Sequence, residues 1–150
     1  MKKILLLLGF ALLACSEKEG TTDIIKIKYG TSFGECIGYC YNEITVDPES
    51  VAYTTSGWAD TIKTINCSEN INMQNWLAIK FKINTVAFFA LPATIGCPDC
   101  ADGGAEWIEL ELANRSRHKV TFEYFNEPAI TGNYIEDLRE FMKTAKKCNK

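Results

Sequence analysis

Cysteine pairs hold most of the chemistry that this sequence suggests. Cys97 and Cys100 are separated by Pro98 and Asp99, a spacing at which two thiols can form a bridge or exchange with another disulfide. Exchange requires a lowered thiolate pKa at Cys97, and the N-terminus of a helix is the best source of that shift. The following stretch, Ala101-Asp102-Gly103-Gly104, is a poor helix start, and nearby aspartates would raise the thiol pKa. A structural disulfide is therefore the favoured interpretation of these cysteines.

The same four residues resemble the redox motif of thioredoxin-like oxidoreductases, which also place a proline between two cysteines. Thiol–disulfide exchange by Cys97 and Cys100 is therefore the alternative function. A structural bridge is expected either within this pair or to Cys36 or Cys40. Two close cysteine pairs also match a tetrahedral zinc site, but an oxidising compartment favours bridges. No metal ion or cofactor is predicted.

A bridge between Cys36 and Cys40 requires a turn in the chain. Fully extended, this four-residue step spans about 13 Å, whereas bridged Cα atoms lie within roughly 7 Å of each other. The two cysteines pair only if the segment around Gly38 turns. The six cysteines after residue 15 allow roughly 15 pairings, and the sequence does not choose among them.

The amino-terminal segment resembles a bacterial lipoprotein signal peptide. Lys2 and Lys3 precede the uncharged residues 4–14, and Leu12-Leu13-Ala14-Cys15 matches the lipobox. The uncharged segment rises roughly 16 Å as a helix, too little for a hydrocarbon core of about 30 Å, so a spanning helix is not predicted. By this resemblance Cys15 carries a diacylglycerol and an acylated amine, with chains such as palmitate that hold the protein on the membrane.

The residues after Cys15 predict the destination of the protein. Ser16 at the next position favours the outer membrane, and Glu17-Lys18-Glu19 resembles a short signal for display on the cell surface. The anchored domain is thus expected on either the periplasmic or the surface face. The predicted organisation is a signal peptide at 1–14, a lipidated cysteine and tether at 15–23, and one domain at 24–150.

The charge balance argues against one class of partner. Removing residues 1–14 takes away two lysines and shifts the formal net charge from −3 to −5. A mildly acidic chain with no cluster of lysine and arginine is not expected to bind nucleic acid. The 136 residues that remain are enough for one domain with a sizeable core.

Hydrophobic periodicity predicts the elements that position these cysteines. Predicted strands cover 24–29, 39–46, 51–56, 108–112 and 120–124, and predicted helices cover 70–84 and 134–145. The sequence Asp47-Pro48-Glu49-Ser50 favours a type I turn between the second and third strands. Residues 57–67 and 94–106 are predicted as connections. The order of strands, helix, strands, helix predicts an α+β fold in which an antiparallel sheet carries two helices on one face.

Tryptophans are the predicted ligand-contacting residues. Trp58 and Trp107 lie at predicted strand ends, where an exposed indole could line a groove for a sugar or a peptide. Trp76 falls at helical spacing and is expected in the core. His118 is predicted at a solvated hairpin tip, and no residue set around it predicts nucleophilic catalysis.

Residues 24–142 resemble a family of small bacterial envelope proteins described only as a domain of unknown function. Its members tend to open with Cys-Phe-Gly-x-Cys-Pro-x-Tyr, and the matching stretch here runs from Ser32 to Tyr39. Ser32 replaces the family's first cysteine and Ile37 replaces its proline, so a bridge between the family's two cysteines cannot form. The resemblance implies a fold and no activity.

These observations predict a non-catalytic module on the cell envelope. The expected role is binding or accessory, with the membrane as a partner through the lipid anchor and an envelope protein or glycan as the ligand. The alternative remains an envelope thiol–disulfide oxidoreductase that uses Cys97 and Cys100.

Overall fold

A seven-stranded sheet forms the centre of the computed structural model, in the order β4-β3-β2-β1-β6-β7-β5. The structure describes residues 22–59 and 61–145. The strands are β1 (Ile24–Ser32), β2 (Tyr41–Val46), β3 (Ser50–Ser56), β4 (Ile65–Asn70), β5 (Thr94–Ile95), β6 (Ala105–Leu112) and β7 (Arg117–Glu123). The helices are α1 (Met73–Lys80), α2 (Thr85–Phe89) and α3 (Tyr134–Ala145), and 3₁₀ turns span Cys100–Asp102 and Ala129–Thr131.

The predicted anchor lies outside the described residues. This applies to the signal segment 1–14, to Cys15 and most of its tether, and to Cys148. Within residues 22–59 and 61–145, every helix is too short or too polar to cross a bilayer.

The predicted fold is wrong in its sheet and in its helices. The sheet is mixed rather than antiparallel, because β5 pairs in parallel with β7. Three helices replace the two that were predicted, and strands hold more residues than helices do. The polar edge strand β4 shows no apolar alternation because most of it faces solvent, and the five-residue α2 is too short to show a helical period.

The first hairpin and the last helix are confirmed. β2 pairs with β3 in antiparallel register from Tyr41 and Ser56 to Val46 and Val51. The side chain of Asp47 accepts hydrogen bonds from the backbone N–H groups of Glu49 and Ser50, which closes the predicted turn. The spacing places apolar residues on one face of α3, and that face is buried. Its buried members are Tyr134, Ile135, Leu138, Met142 and Ala145.

One face of the sheet packs against the helices and forms the core. Alternate residues of the central strands point to this face, as expected for a period of two. The fully buried side chains from the strands include Ile27, Tyr29, Ile44, Ile108, Leu110 and Phe122. Trp76 of α1 and Phe88 of α2 belong to the same core as α3, so the expectation of a buried Trp76 is confirmed.

Strand β1 connects two distinct ends of the sheet, roughly 30 Å apart for its nine residues. We call the end at Ser32 the disulfide end. It contains the β1–β2 loop, 33–40, and the β5–β6 loop, 96–104. We call the end at Ile24 the tether end. It contains the β6–β7 turn and the carboxyl end of α1, because Ala113 donates to the carbonyl of Asp23 and Lys80 pairs with the Asp23 carboxylate.

Candidate binding site at the disulfide end

Two local disulfides shape the loops of the disulfide end. Cys36 bonds to Cys40 across a Cα–Cα distance of 5.7 Å, and Cys97 bonds to Cys100 across 5.5 Å. The β1–β2 loop turns at Gly38, whose φ of 100° lies in the left-handed region that glycine tolerates. The turn that the Cys36–Cys40 bridge requires is therefore present. Because both pairs are bridged, these four cysteines offer no thiolate set for zinc.

The two disulfide loops are connected to each other. The backbone N–H of Gly34 donates to the Asp99 carboxylate at 3.2 Å. Phe33 packs so closely on Gly104 that a β-carbon at that glycine would lie 2.4 Å from the ring. Phe33 also meets Tyr124 edge to face at 4.9 Å. The loops therefore form one surface rather than two independent ones.

Apolar side chains are exposed around these loops. Ile37, Tyr39 and Trp58 are all exposed. The indole N–H of Trp58 donates to the carbonyl of Phe33 at 2.6 Å, which fixes the ring orientation while its face remains in solvent. The structure thus places the predicted ligand residue Trp58 beside the Cys36–Cys40 loop.

The structure does not place Trp107 on this surface. Trp107 is only 5 % exposed, so the prediction of an exposed indole is wrong for this residue. Its ring lies directly over Gly30, where an added β-carbon would approach to 2.2 Å, and it packs beside Tyr41 at 5.2 Å and under Lys119 at 4.5 Å. Gly30 has no side chain, and the space that this leaves on the neighbouring strand accommodates the buried Trp107 ring.

A buried ion pair lies beneath the disulfide end. Glu106 is fully buried, and Arg139 of α3 donates to both of its carboxylate oxygens at 2.8 and 2.7 Å. The Tyr29 hydroxyl donates to the same carboxylate. Arg139 also reaches Glu127 at 2.6 Å. Two carboxylates therefore fix Arg139, which connects α3 to the sheet, and Tyr29 holds one of these carboxylates.

The chain around Phe125 completes this network. Phe125 has a φ of 61°, which is uncommon for a residue with a side chain. In this conformation its backbone N–H donates to Glu106 at 3.2 Å. The Arg139 guanidinium lies 4.4 Å from its ring centre, within the range of a cation–π contact. The unusual backbone is thus accompanied by two contacts to the ion pair.

The surroundings favour the neutral form of Tyr29 and the charged forms of Arg139 and Glu127. Burial raises the pKa of Tyr29, and the nearby charge of Glu106 raises it further. Burial opposes the charge on Arg139, but its hydrogen bonds to Glu106 and Glu127 outweigh that effect and raise its pKa. The hydrogen bond from Arg139 lowers the pKa of Glu127. Each shift moves a group away from the range in which proton transfer at pH 7 is efficient.

A cleft of about 590 Å³ opens over this network, a volume that fits a small ligand. Tyr29, Thr31 and Asn42 line it from the strands. The lining side chains from the loops and α3 are Phe33, Tyr124, Phe125, Glu127, Glu136, Arg139, Glu140, Met142 and Lys143. The lining therefore combines aromatic, amide and charged groups.

Sequence reasoning missed this network for two reasons. The sequence predicts residues 94–106 as a connection, whereas Glu106 lies on β6 in the same alternation as Ile108 and Leu110. A glutamate at a core position of a strand is the signal that predicts a buried partner. That partner, Arg139, is 33 residues away in the chain, so its identity depends on the packing of α3.

His118 does not take part in this site. It is partly buried rather than solvated, with Nε2 2.9 Å from the carbonyl oxygen of Leu91 and its ring packed against both Phe88 and Phe89. Among residues 22–59 and 61–145, no group of three histidine, cysteine, aspartate or glutamate side chains is placed to bind a metal ion.

No protein-family model matches this chain, and neither does any curated protein. The resemblance of residues 32–39 to an envelope-protein family therefore stays a prediction. The site has to be interpreted from its own geometry.

Proposed function

We propose that this chain is a lipid-anchored protein of the bacterial outer envelope and acts as a non-catalytic binding or accessory module. The disulfide end is its binding surface, and the partner is an envelope protein or glycan. The observation that carries this proposal is the exposure of Ile37 and Tyr39 in the loop closed by the Cys36–Cys40 bridge, with Trp58 exposed beside that loop.

The preorganisation of this surface favours a binding role. Each loop is closed by a covalent bond, and the Trp58 ring is oriented by its hydrogen bond to Phe33. Loops that are ordered before binding lose less conformational entropy when a partner docks. Exposed aromatic rings on such loops also provide the kind of residue that dominates binding energy at interfaces.

Metabolic labelling tests the anchor. Cells that express the full chain receive labelled palmitate, and the label is expected in the wild type and not in a Cys15→Ala variant. A matched Cys67→Ala variant should retain the label. Equal labelling of the wild type and Cys15→Ala would contradict lipidation at this cysteine.

Variants of the exposed surface test binding. In membranes from the producing cell, cross-linking to the wild type is expected to yield a discrete partner that Ile37→Ser loses. Ile130→Ser is the matched control, since Ile130 is also an exposed isoleucine but lies on the 3₁₀ turn before α3. Co-sedimentation with purified cell-wall glycan forms the second arm. Equal behaviour of both variants in both arms would rule out this surface.

The redox alternative rests on the exposure of Cys97 and Cys100 as a bonded pair. Against it, the backbone N–H of Cys97 donates to the Glu123 carboxylate at 2.8 Å, and this bond lowers the pKa of Glu123. A thiolate at Cys97 would therefore form beside an ionised carboxylate, which disfavours it. Catalysed reduction of insulin that disappears in Cys97→Ala, but not in Cys36→Ala, would replace the binding role with this one.

A further inference from the structure

Helix α1 is apolar on two sides. Trp76 faces the core and is buried, whereas Met73, Leu77 and Phe81 lie on the outside. Their spacing of four residues aligns them along one face of the helix and its carboxyl end. Phe81 is 73 % exposed. An isolated exposed apolar residue is ordinary, but three in line on consecutive turns indicate a contact surface. We call Met73, Leu77 and Phe81 the apolar stripe.

The apolar stripe lies at the tether end. Lys80 pairs with Asp23 at 2.6 Å, and the same ammonium lies 5.6 Å from the centre of the Phe81 ring. Phe81 is therefore close to the residue that directly precedes β1. The other end of α1 follows β4, whose last residue pairs with the first residue of β3 at the tether end. The whole stripe thus runs along this end of the sheet.

The length of the tether limits how far this end can lie from the proposed anchor. Cys15 precedes Asp23 by eight residues, which reach roughly 28 Å at full extension. Lipid chains on Cys15 would keep the tether end beside the bilayer surface. They would also make contact with the bilayer effectively intramolecular, so that a small apolar surface is enough to dock.

We infer that the apolar stripe docks on the phospholipid bilayer that holds the anchor. This inference rests on the proposed lipidation of Cys15. Docked in this way, the domain places the tether end on the membrane and the disulfide end away from it. The binding surface at Ile37 and Trp58 is then separated from the membrane by the full length of β1 and faces partners there.

Charged side chains around the tether end are paired with one another, three cations with two carboxylates, so few charges are free and we expect the contact itself to be apolar. Asp23 pairs with Lys80, and Glu111 accepts from both Arg115 and Arg117 at 3.0 Å. Raising the salt concentration to about 0.5 M shortens the range of electrostatic attraction to a few ångströms. Docking through the apolar stripe is expected to persist under that condition.

Hydroxyl-radical footprinting of the lipidated full chain tests this inference. The protein is reconstituted into phosphatidylethanolamine and phosphatidylglycerol vesicles and compared with the Cys15→Ala protein in solution. Because docking removes the stripe from water, oxidation of Met73, Leu77 and Phe81 is expected to slow about fivefold. Ile37 and Tyr39 at the disulfide end are the internal controls, and their oxidation should not change.

A charged variant sharpens the test. Phe81→Asp should retain its palmitate but lose the protection of Met73 and Leu77, whereas the control Ile130→Asp should retain both. An anchored wild type whose stripe is oxidised as fast as in solution would overturn the inference and leave the lipid anchor intact. A chain without lipid on Cys15 would overturn both.

Other occupants of the stripe give different results. Protection in native membranes but not in pure phospholipid vesicles would assign the stripe to a protein partner. Protection of the Cys15→Ala protein that rises with its concentration would assign it to a second copy of the chain. Loss of protection at about 0.5 M salt would indicate electrostatic rather than apolar docking. Each of these results overturns docking of the apolar stripe on lipid.

Discussion

The disulfide end and the tether end belong to the same sheet but are held by different interactions. At the disulfide end, two bridges and the Glu106–Arg139 ion pair position loops whose apolar side chains remain in solvent. At the tether end, Trp76 of α1 lies in the apolar core and Lys80 pairs with Asp23. Disulfides, hydrogen bonds and the ion pair position the loops of the disulfide end without covering their apolar side chains. Apolar packing, in contrast, buries the residues that it positions. The exposed loops of the disulfide end are thus positioned by contacts that leave their apolar side chains in solvent.

Removing Arg139 should break the disulfide end most severely. In Arg139→Met the carboxylate of Glu106 stays buried without its cation, which costs about 3–5 kcal/mol of the free energy of unfolding. Urea unfolding measures this loss. Lys143→Met is the control, because Lys143 and Glu140 are both exposed and such pairs contribute within about 0.5 kcal/mol. Equal stability of the two variants would show that the buried network does not hold α3.

Opening one bridge should have a smaller and more local effect. The Cys36–Cys40 bridge closes a loop with a sequence separation of four, and the chain-entropy relation gives about 2 kcal/mol for so short a loop. The double variant Cys36→Ala/Cys40→Ala is expected to lose that amount. Hydrogen exchange should accelerate in residues 33–40 and stay unchanged in α1. Faster exchange at α1 as well would mean that the two ends are not independent.

Tyr134 provides a test in the helix layer. Its hydroxyl is buried and has no hydrogen-bond partner among residues 22–59 and 61–145. Burial raises its pKa, and the charge of Asp137 adds to the shift. A raised folded-state pKa gives stability that is fully present below about pH 10 and is lost as the pH rises above it. Each such phenol lowers the free energy of unfolding by about 1 kcal/mol per pH unit there.

Tyr134→Phe should therefore flatten the alkaline loss of stability. At pH 7 the variant should equal the wild type or gain up to about 1 kcal/mol, because it removes an unpaired buried hydroxyl. Tyr29→Phe is the comparison, since it also removes a buried phenol but breaks a hydrogen bond to Glu106. Denaturant midpoints between about pH 8 and 11 measure both variants. An unchanged alkaline slope in Tyr134→Phe would refute the assignment.

Phe81→Ser should change stability least, within about 0.5 kcal/mol, because its ring is exposed in the folded protein. Its thermal midpoint in solution is expected to match that of the wild type. A large drop would mean that the apolar stripe supports the fold itself and is not a surface for docking.

Local sequence predicted the parts of the fold that depend on local physics. The Asp47 turn, the strands beside it and the buried face of α3 follow from turn chemistry and periodicity. The sequence pattern did not predict β4, because this polar edge strand is defined by its pairing with β3 rather than by its own residues. The fold divides the apolar residues of α1, since it buries Trp76 and leaves Leu77 exposed.

The site was only partly predictable for the same reason. The sequence allowed a local Cys97–Cys100 bridge, bonds from this pair to Cys36 or Cys40, and a Cys36–Cys40 bridge, and it did not choose among them. The burial of Trp107 depends on Gly30 in a different strand, and the Glu106–Arg139 pair depends on how α3 packs against the sheet. Contacts between distant residues require the assembled sheet, and a pattern in one segment does not contain them.

The short span of both bridges has a consequence for biogenesis. Each joins cysteines only three or four positions apart, so the correct partners are already neighbours in the chain before it folds. The two disulfides can therefore form before the domain folds. Wrong disulfides that join one loop to the other should be rare. Under the proposed export, both bridges should therefore form in cells that lack a disulfide isomerase but not in cells that lack a dithiol oxidase.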